Sequence, residues 1–223
     1  LDDATIVRNG YRSIRRGCDW VRNYNYRNMV EEYDQLGIES AAKNYKKINY
    51  LSENLRLAEY IVAQSLERQE VSMEGVPGFF RLKGKWMFRM EPGMLIPTRN
   101  RDGLIVGMQV RKDSGNLRYM TVSSKSLPDG VDEGISRAHF PLANAPLSNK
   151  AKILITEGPL KADVAQHLLG REDILMVAIP GVSHISLLKP IFDKAKEAGI
   201  KVIYNCFDMD KITNPNVAAA SRK

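Results

Sequence analysis

From Ala151 onward the chain reads strand, helix, strand, helix, strand: AKILIT, PLKADVAQHLLG, ILMVAIPG, a helical stretch ending near Ala198-Gly199, then KVIYNCFDMD. The strand-like runs are nearly continuous in apolar residues rather than alternating, as expected of strands buried on both faces. Successive parallel strands need a crossover connection, and helices of this length supply one. Residues 151–223 are therefore expected to form a parallel sheet with helices on both faces, an α/β arrangement.

The sequence before that point has a different texture. From Gly75 to Ser124 short apolar runs are punctuated by Gly, Pro and Asn/Asp pairs, which predicts a β-rich subdomain over 75–124. Its best hairpin is MLIPTRNRDGLIVGMQVR, with turn chemistry at Asn100 to Gly103. Residues 125–150, rich in Ser, Pro, Gly and Asp, read as a loop or linker. Residues 1–74 form a basic, helical N-terminal region, so the chain as a whole is expected to be α+β. Leu51, Leu55, Leu57, Ala58, Ile61, Val62 and Leu66 recur at helical spacing, and Ser52 is a candidate N-cap. Nearer the start, Trp20, Tyr24 and Tyr26 interleave with Arg15, Arg16, Arg22 and Arg27. That suits stacking on single-stranded bases, and equally a partly buried aromatic cluster.

A net charge of +7 favours an acidic partner, and nucleic acid is the commonest one for such a balance. Cys18 and Cys206 are the two cysteines, far apart and without zinc-site spacing, which argues against a zinc ribbon or a disulfide framework. A reducing, cytoplasmic setting is expected. No apolar run approaches the roughly 18 residues a membrane helix needs. The chain opens on Leu1 and stops at Lys223, just after a helix would begin, so a piece of a longer protein is expected.

In open parallel sheets ligands bind beyond the carboxyl ends of the strands. Two acidic motifs fall there. Glu157 follows the strand KILIT, with Gly158-Pro159 turning the chain into a helix, and Asp208 and Asp210 follow KVIYNCF. The two-residue period of an extended chain sends both aspartates to one side. If the two strands are neighbours, three carboxylates converge. Such a cluster calls for a hard divalent ion, Mg²⁺ or Mn²⁺, which takes carboxylates, waters and phosphates. Phosphoryl transfer is the matching chemistry, with Glu157 as a ligand or as a general acid/base. A D-x-D after a strand is common in itself, and its weight here comes from both motifs occupying equivalent edges of one sheet.

The residues ILITEGPLKAD at 153–163, VAIPG at 177–181 and FDMD at 207–210 resemble the Toprim domain of DnaG-type primases, topoisomerases and certain nucleases. The E-G-x-x-K-A-D opening and the TNPNV at 213–217 are similar to primase-related proteins of phages and mobile elements. Upstream, MLIPTRNRDGLIVGMQVR and LRYMTVSS resemble the segment preceding Toprim in bacterial primases. GVPGFF, Trp86 and IVRNGYRSI are similar to the approach to that region in mobile-element proteins.

The resemblance implies that Glu157, Asp208 and Asp210 are the catalytic and metal-binding residues. It places Arg99, Arg111, Arg118 and Tyr119 near template or nucleotide phosphates, where a solvated strand face is the competing explanation. Lys161 is a phosphate contact or a surface lysine. The implied activity is Mg-dependent primer synthesis on single-stranded DNA from nucleotides, with a helicase as a further partner, in a bacterial, phage or mobile-element replication system. A Toprim nuclease and a non-catalytic nucleic-acid-binding module are the alternatives. Residues 17–69 match nothing in this pattern, and the sheet is expected to stop one β-α element short of a Toprim domain. Ser183 is a candidate cap for the helix beginning near His184, and His139 and His167 are expected to be structural.

Overall fold

In the computed structural model every residue of the strand Ile174–Ile179 is buried, as its unbroken apolar sequence requires. The structure describes residues 1–14, 27–37, 50–130, 136–142 and 147–207. In chain order its elements are α1 (Asp3–Arg8), β1 (Arg12–Ile14), α2 (Arg27–Gln35), α3 (Tyr50–Glu67), β2 (Phe79–Leu82), β3 (Lys85–Phe88), β4 (Gly93–Arg99), β5 (Ile105–Lys112) and β6 (Tyr119–Thr121). After these come β7 (Lys152–Glu157), α4 (Pro159–Leu169), β8 (Ile174–Ile179), a 3-10 segment (Val182–Leu188), α5 (Lys189–Glu197) and β9 (Val202–Asn205). Among the described residues no helix is long and apolar enough to cross a membrane.

The chain divides into two compact units that interleave in sequence. One comprises Leu1–Tyr11, Ile96–Met108 and Ile135–Lys223, the other Arg12–Leu95 and Gln109–Gly134. Strands β4 and β5 each run through both, so the units cut across the consecutive stretches 1–74, 75–124, 125–150 and 151–223.

The first unit contains the expected α/β layers. β7 is the central strand, parallel to β8 from Lys152↔Ile174 to Glu157↔Ile179 and to β9 from Lys152↔Val202 to Ile155↔Asn205. On one face Ala162 and Ala165 of α4 pack against Leu154, Met176 and Ala178. On the other, Ile153, Ile155, Leu175, Val177 and Ile179 meet Leu188, Ile191, Phe192 and Ala195 from the 3-10 segment and α5. At about 1.5–3 kcal/mol for each large apolar side chain removed from water, these contacts are the main force holding helices to sheet.

The two edges of this sheet differ. The outer edge of β8 is covered by His139, whose N–H donates to the Ala178 carbonyl at 2.7 Å and whose carbonyl accepts from the Ala178 N–H at 2.9 Å. The stretch expected as a loop or linker thus passes through the unit, with His139, Phe140 and Lys150 buried. β9, by contrast, leaves Val202, Ile203 and Tyr204 exposed at 39%, 46% and 45%.

The second unit is built on α3 and the β2–β3 hairpin. β2 and β3 pair antiparallel from Phe79↔Phe88 to Leu82↔Lys85, and Phe80, Met87 and Phe88 are buried with Ala58, Tyr60, Ile61 and Ala63 of α3. Tyr33 of α2 meets Tyr60 with ring centroids 5.5 Å apart. α3 begins at Tyr50, so Ser52 lies inside its first turn rather than at the cap position expected for it. Strand order in the remaining sheet is β1-β4-β5-β6, with β1 antiparallel to β4 and β6 antiparallel to β5. The expected turn joins β4 to β5, where Asn100 Oδ1 accepts from the N–H groups of Asp102 and Leu104, both at 3.0 Å. Trp20, Tyr24, Tyr26, Arg15, Arg16 and Arg22 lie outside the described residues.

Candidate carboxylate site

Glu157 is the last residue of the central strand, half-buried, and the period of two sets it on the sheet face of Ile153 and Ile155. The turn into α4 fixes its position. Gly158 has φ +78°, a conformation that favours glycine, and its N–H donates to the Ile179 carbonyl at 2.8 Å, carrying the β7–β8 ladder into the turn. Pro159 then occupies the first turn of α4, where its missing N–H costs no hydrogen bond. The helix N-terminus therefore opens at the same sheet edge as Glu157.

On the other side of β7 lies β9, the strand that leads in sequence to Asp208. Its ladder continues one residue past Asn205, since the Cys206 N–H donates to the Ile155 carbonyl at 2.8 Å. Asn205 Oδ1 accepts from the Phe207 N–H at 3.1 Å, and Phe207 is buried. Asp208 and Asp210 lie outside the described residues. Of the three expected carboxylates Glu157 is the one described, and among the described residues no three His, Cys, Asp or Glu side chains gather as a metal site. The Cys206 thiol, two residues before Asp208, is pushed up from its ordinary range by burial.

Behind this edge stands a polar network that local sequence patterns did not reveal. Asp163, which closes the E-G-x-x-K-A-D motif, is 4% exposed. One of its oxygens accepts from the Tyr11 hydroxyl at 2.5 Å, and the other is 3.1 Å from His139 Nε2. His139 Nδ1 accepts from the Arg99 backbone N–H at 3.1 Å. With Nδ1 accepting, the ring is neutral and its proton sits on Nε2, aimed at Asp163. Burial, and next the Asp163 charge, push the Tyr11 hydroxyl well above its ordinary range and keep it a donor. His139, expected to be structural, has a specific task here in tying α4 to β4. The signal available in the sequence was the buried-side position of Asp163 on α4, which demanded a partner.

The expected basic residues are divided between the units. Arg99 is buried, and its guanidinium donates to the Gly103 carbonyl at 2.8 Å and to the Asn9 carbonyl at 3.1 Å, closing the turn after β4. Arg111, Arg118 and Tyr119 are exposed in the second unit, with Arg111 and Tyr119 directly opposed on β5 and β6. Lys161 is exposed on α4 in the first unit. The 3-10 segment is preceded by Gly181 and has no side-chain cap, and Ser183 Oγ sits 3.1 Å from His184 Nδ1 instead. The capping role expected of Ser183 is therefore not taken up, because the backbone there turns as a 3-10 segment with His184 out of helical conformation.

Fold and edge together define an α/β protein whose central parallel strand delivers a carboxylate to the carboxyl edge of the sheet. No family model matches the chain, and no curated protein matches it. Solved structures do. The RNA polymerase domain of Mycobacterium tuberculosis primase DnaG is similar at 17% identity and TM-score 0.49, over 100% of this chain and 59% of that one. A DnaG catalytic core gives 15% identity and TM-score 0.48, over 99% and 55% of the two chains. A DNA primase domain from Pseudomonas aeruginosa gives 14% and 0.46, over 91% and 61%. The chain thus spans little more than half the length of these structures.

Proposed function

We propose that this chain carries the catalytic carboxylates of a primase-type nucleotidyltransferase. The observation that carries this reading is the parallel pairing of β7 and β9, in register from Lys152↔Val202 to Ile155↔Asn205. It makes neighbours of the strand ending in Glu157 and the strand that runs toward Asp208 and Asp210, the condition for three carboxylates to act together. Strand spacing of about 4.8 Å is within the reach of a shared cation.

A site of carboxylate oxygens fits Mg²⁺ or Mn²⁺, with Glu157, Asp208 and Asp210 as the residues that would hold it. The bound ion would neutralise charge on the phosphates undergoing transfer. Glu157 is held by its pairing with Ile179 of β8 and by the Gly158 turn, so the protein contributes position more than acid–base power. The exposed Arg111, Arg118 and Tyr119 offer cations and a stacking ring to a single-stranded template, and Lys161 offers a charge to nucleotide phosphates. The wider role is primer synthesis for a phage or mobile element, with a helicase as partner.

The test is primer synthesis by the full-length protein on single-stranded DNA with nucleotides and Mg²⁺. Glu157→Gln and Asp208→Asn are expected to lower activity on the order of 10²-fold or more while leaving the unfolding midpoint unchanged. Wild-type activity in either variant would overturn the assignment. Shortening of the DNA in place of extension identifies the nuclease alternative, and DNA binding that survives loss of all three carboxylates in a protein without turnover identifies the binding module.

A further inference from the structure

In the first unit, on the side of α5 that faces the β4–β5 turn, lies a cavity of about 620 Å³. That volume is within the range of about 300–1,000 Å³ typical of small-molecule sites. One wall is apolar, formed by Phe140, Leu175, Leu187 and Ile191. Arg101, Arg137 and Lys194 bring three cations to the cavity, against the single carboxylate of Asp102. Among the described residues Glu157 does not line it.

The polar groups are unequal. Arg101 Nε is buried and has no hydrogen-bond partner among the described residues. A buried donor left without an acceptor costs roughly 1–3 kcal/mol, so its retention needs an explanation. Arg101 also lies near enough to Lys150 to add to the burial that lowers the Lys150 ammonium from its ordinary range. Asp102 has the opposite character: one of its oxygens accepts from Asn100 Nδ2 at 3.2 Å, and the carboxylate can also accept from hydroxyl or amine donors of a guest. The Asn100 side chain is occupied within the turn and offers the guest little.

We propose that this cavity binds a nucleoside 5′-phosphate, its phosphate held by Arg101 with Arg137 and Lys194, its base on the apolar wall and its hydroxyls or exocyclic amine toward Asp102. The three features demand different parts of one ligand. Phosphate alone would leave the apolar wall wet, and an uncharged apolar ligand would leave the three cations at the cavity without a counter-charge. The site is separate from the carboxylate edge and needs no metal ion.

Calorimetric titration of the full chain with each of the four common nucleoside 5′-monophosphates, in excess EDTA, tests this. At least one should bind saturably, with Arg101→Ala and Arg137→Ala each weakening it about tenfold, near 1.4 kcal/mol. Ile191→Trp, which fills the cavity, should abolish binding in a chain that keeps its far-ultraviolet circular dichroism, whereas Glu157→Gln should bind normally. Loss in Glu157→Gln would move the ligand to the sheet edge and overturn the proposal. So would equal affinity for inorganic phosphate, undiminished binding in the Arg101 and Ile191 variants, or no saturable binding of any monophosphate. Because EDTA removes divalent ions and Glu157 is varied separately, failure here leaves the nucleotidyltransferase reading untouched.

Discussion

Asp163 accepts two hydrogen bonds in a place where water cannot replace them, from Tyr11 on one oxygen and His139 on the other. Its removal strands two buried donors rather than one, and each unsatisfied group costs roughly 1–3 kcal/mol. Asp163→Ala is therefore expected to lose about 2–6 kcal/mol in urea unfolding. Asp163→Asn should lose less, since its amide oxygen still serves one donor while its NH₂ faces the other. Glu157→Gln, at the half-buried strand end, should leave the midpoint where it is. A destabilisation of Glu157→Gln equal to that of Asp163→Ala would contradict this division of labour within one motif. The same contrast separates Arg99 from Arg111 and Arg118: the first is occupied by the carbonyls of Asn9 and Gly103, the others are exposed.

Among the elements, α3 shows how a charged group can be held against an apolar hairpin. Glu59 is buried, with the Met90 N–H donating to it at 3.0 Å and Arg56 at 2.8 Å. Burial is the largest influence and raises its pKa above the ordinary 4.5, while the two donors pull the other way. The folded chain therefore holds this proton more tightly than the unfolded chain. Stability from Glu59 is fully present below about pH 4.5 and is lost as pH rises through the raised folded value. Glu59→Gln should flatten that part of the profile, so the difference in urea midpoint between wild type and variant moves in favour of the variant as pH rises from about 4 to about 7. A constant difference across that window would show that Arg56 and Met90 fully offset burial. β8 and β9 present another contrast of elements, one capped at its edge by His139 and buried throughout, the other apolar yet exposed.

At the scale of the whole molecule the excess of basic residues, +7 overall, becomes an argument about association rather than fold. If single-stranded DNA is the partner, its affinity should fall with salt at a slope of about −0.7 per phosphate neutralised. Replacing both Arg111 and Arg118 by Ala should reduce the slope by about 1.4, read by fluorescence anisotropy of a labelled oligonucleotide across a salt series. An unchanged slope would remove these two side chains from the interface. The interleaving of the two units also sets a practical rule: cutting at 74, 124 or 150 divides a compact unit, so binding measurements belong on the whole chain.

Local chemistry was enough to determine the strand and helix pattern after Ala151, the Gly158-Pro159 entry to α4 and the turn at Asn100 to Gly103, because each depends on residues within one or two turns of chain. The placement of Glu157 at a strand end was legible for the same reason. The caps expected at Ser52 and Ser183 do not form, since a helix start depends on where packing lets the backbone begin to coil. Only the tertiary structure decided that β7 lies between β8 and β9, which makes a shared carboxylate site geometrically possible. It alone joined Tyr11 to Asp163 across 152 positions and gave His139 its partner. Periodicity carries no information about which distant groups will share a buried, water-free space; that is set when the apolar faces close and every enclosed donor must find an acceptor.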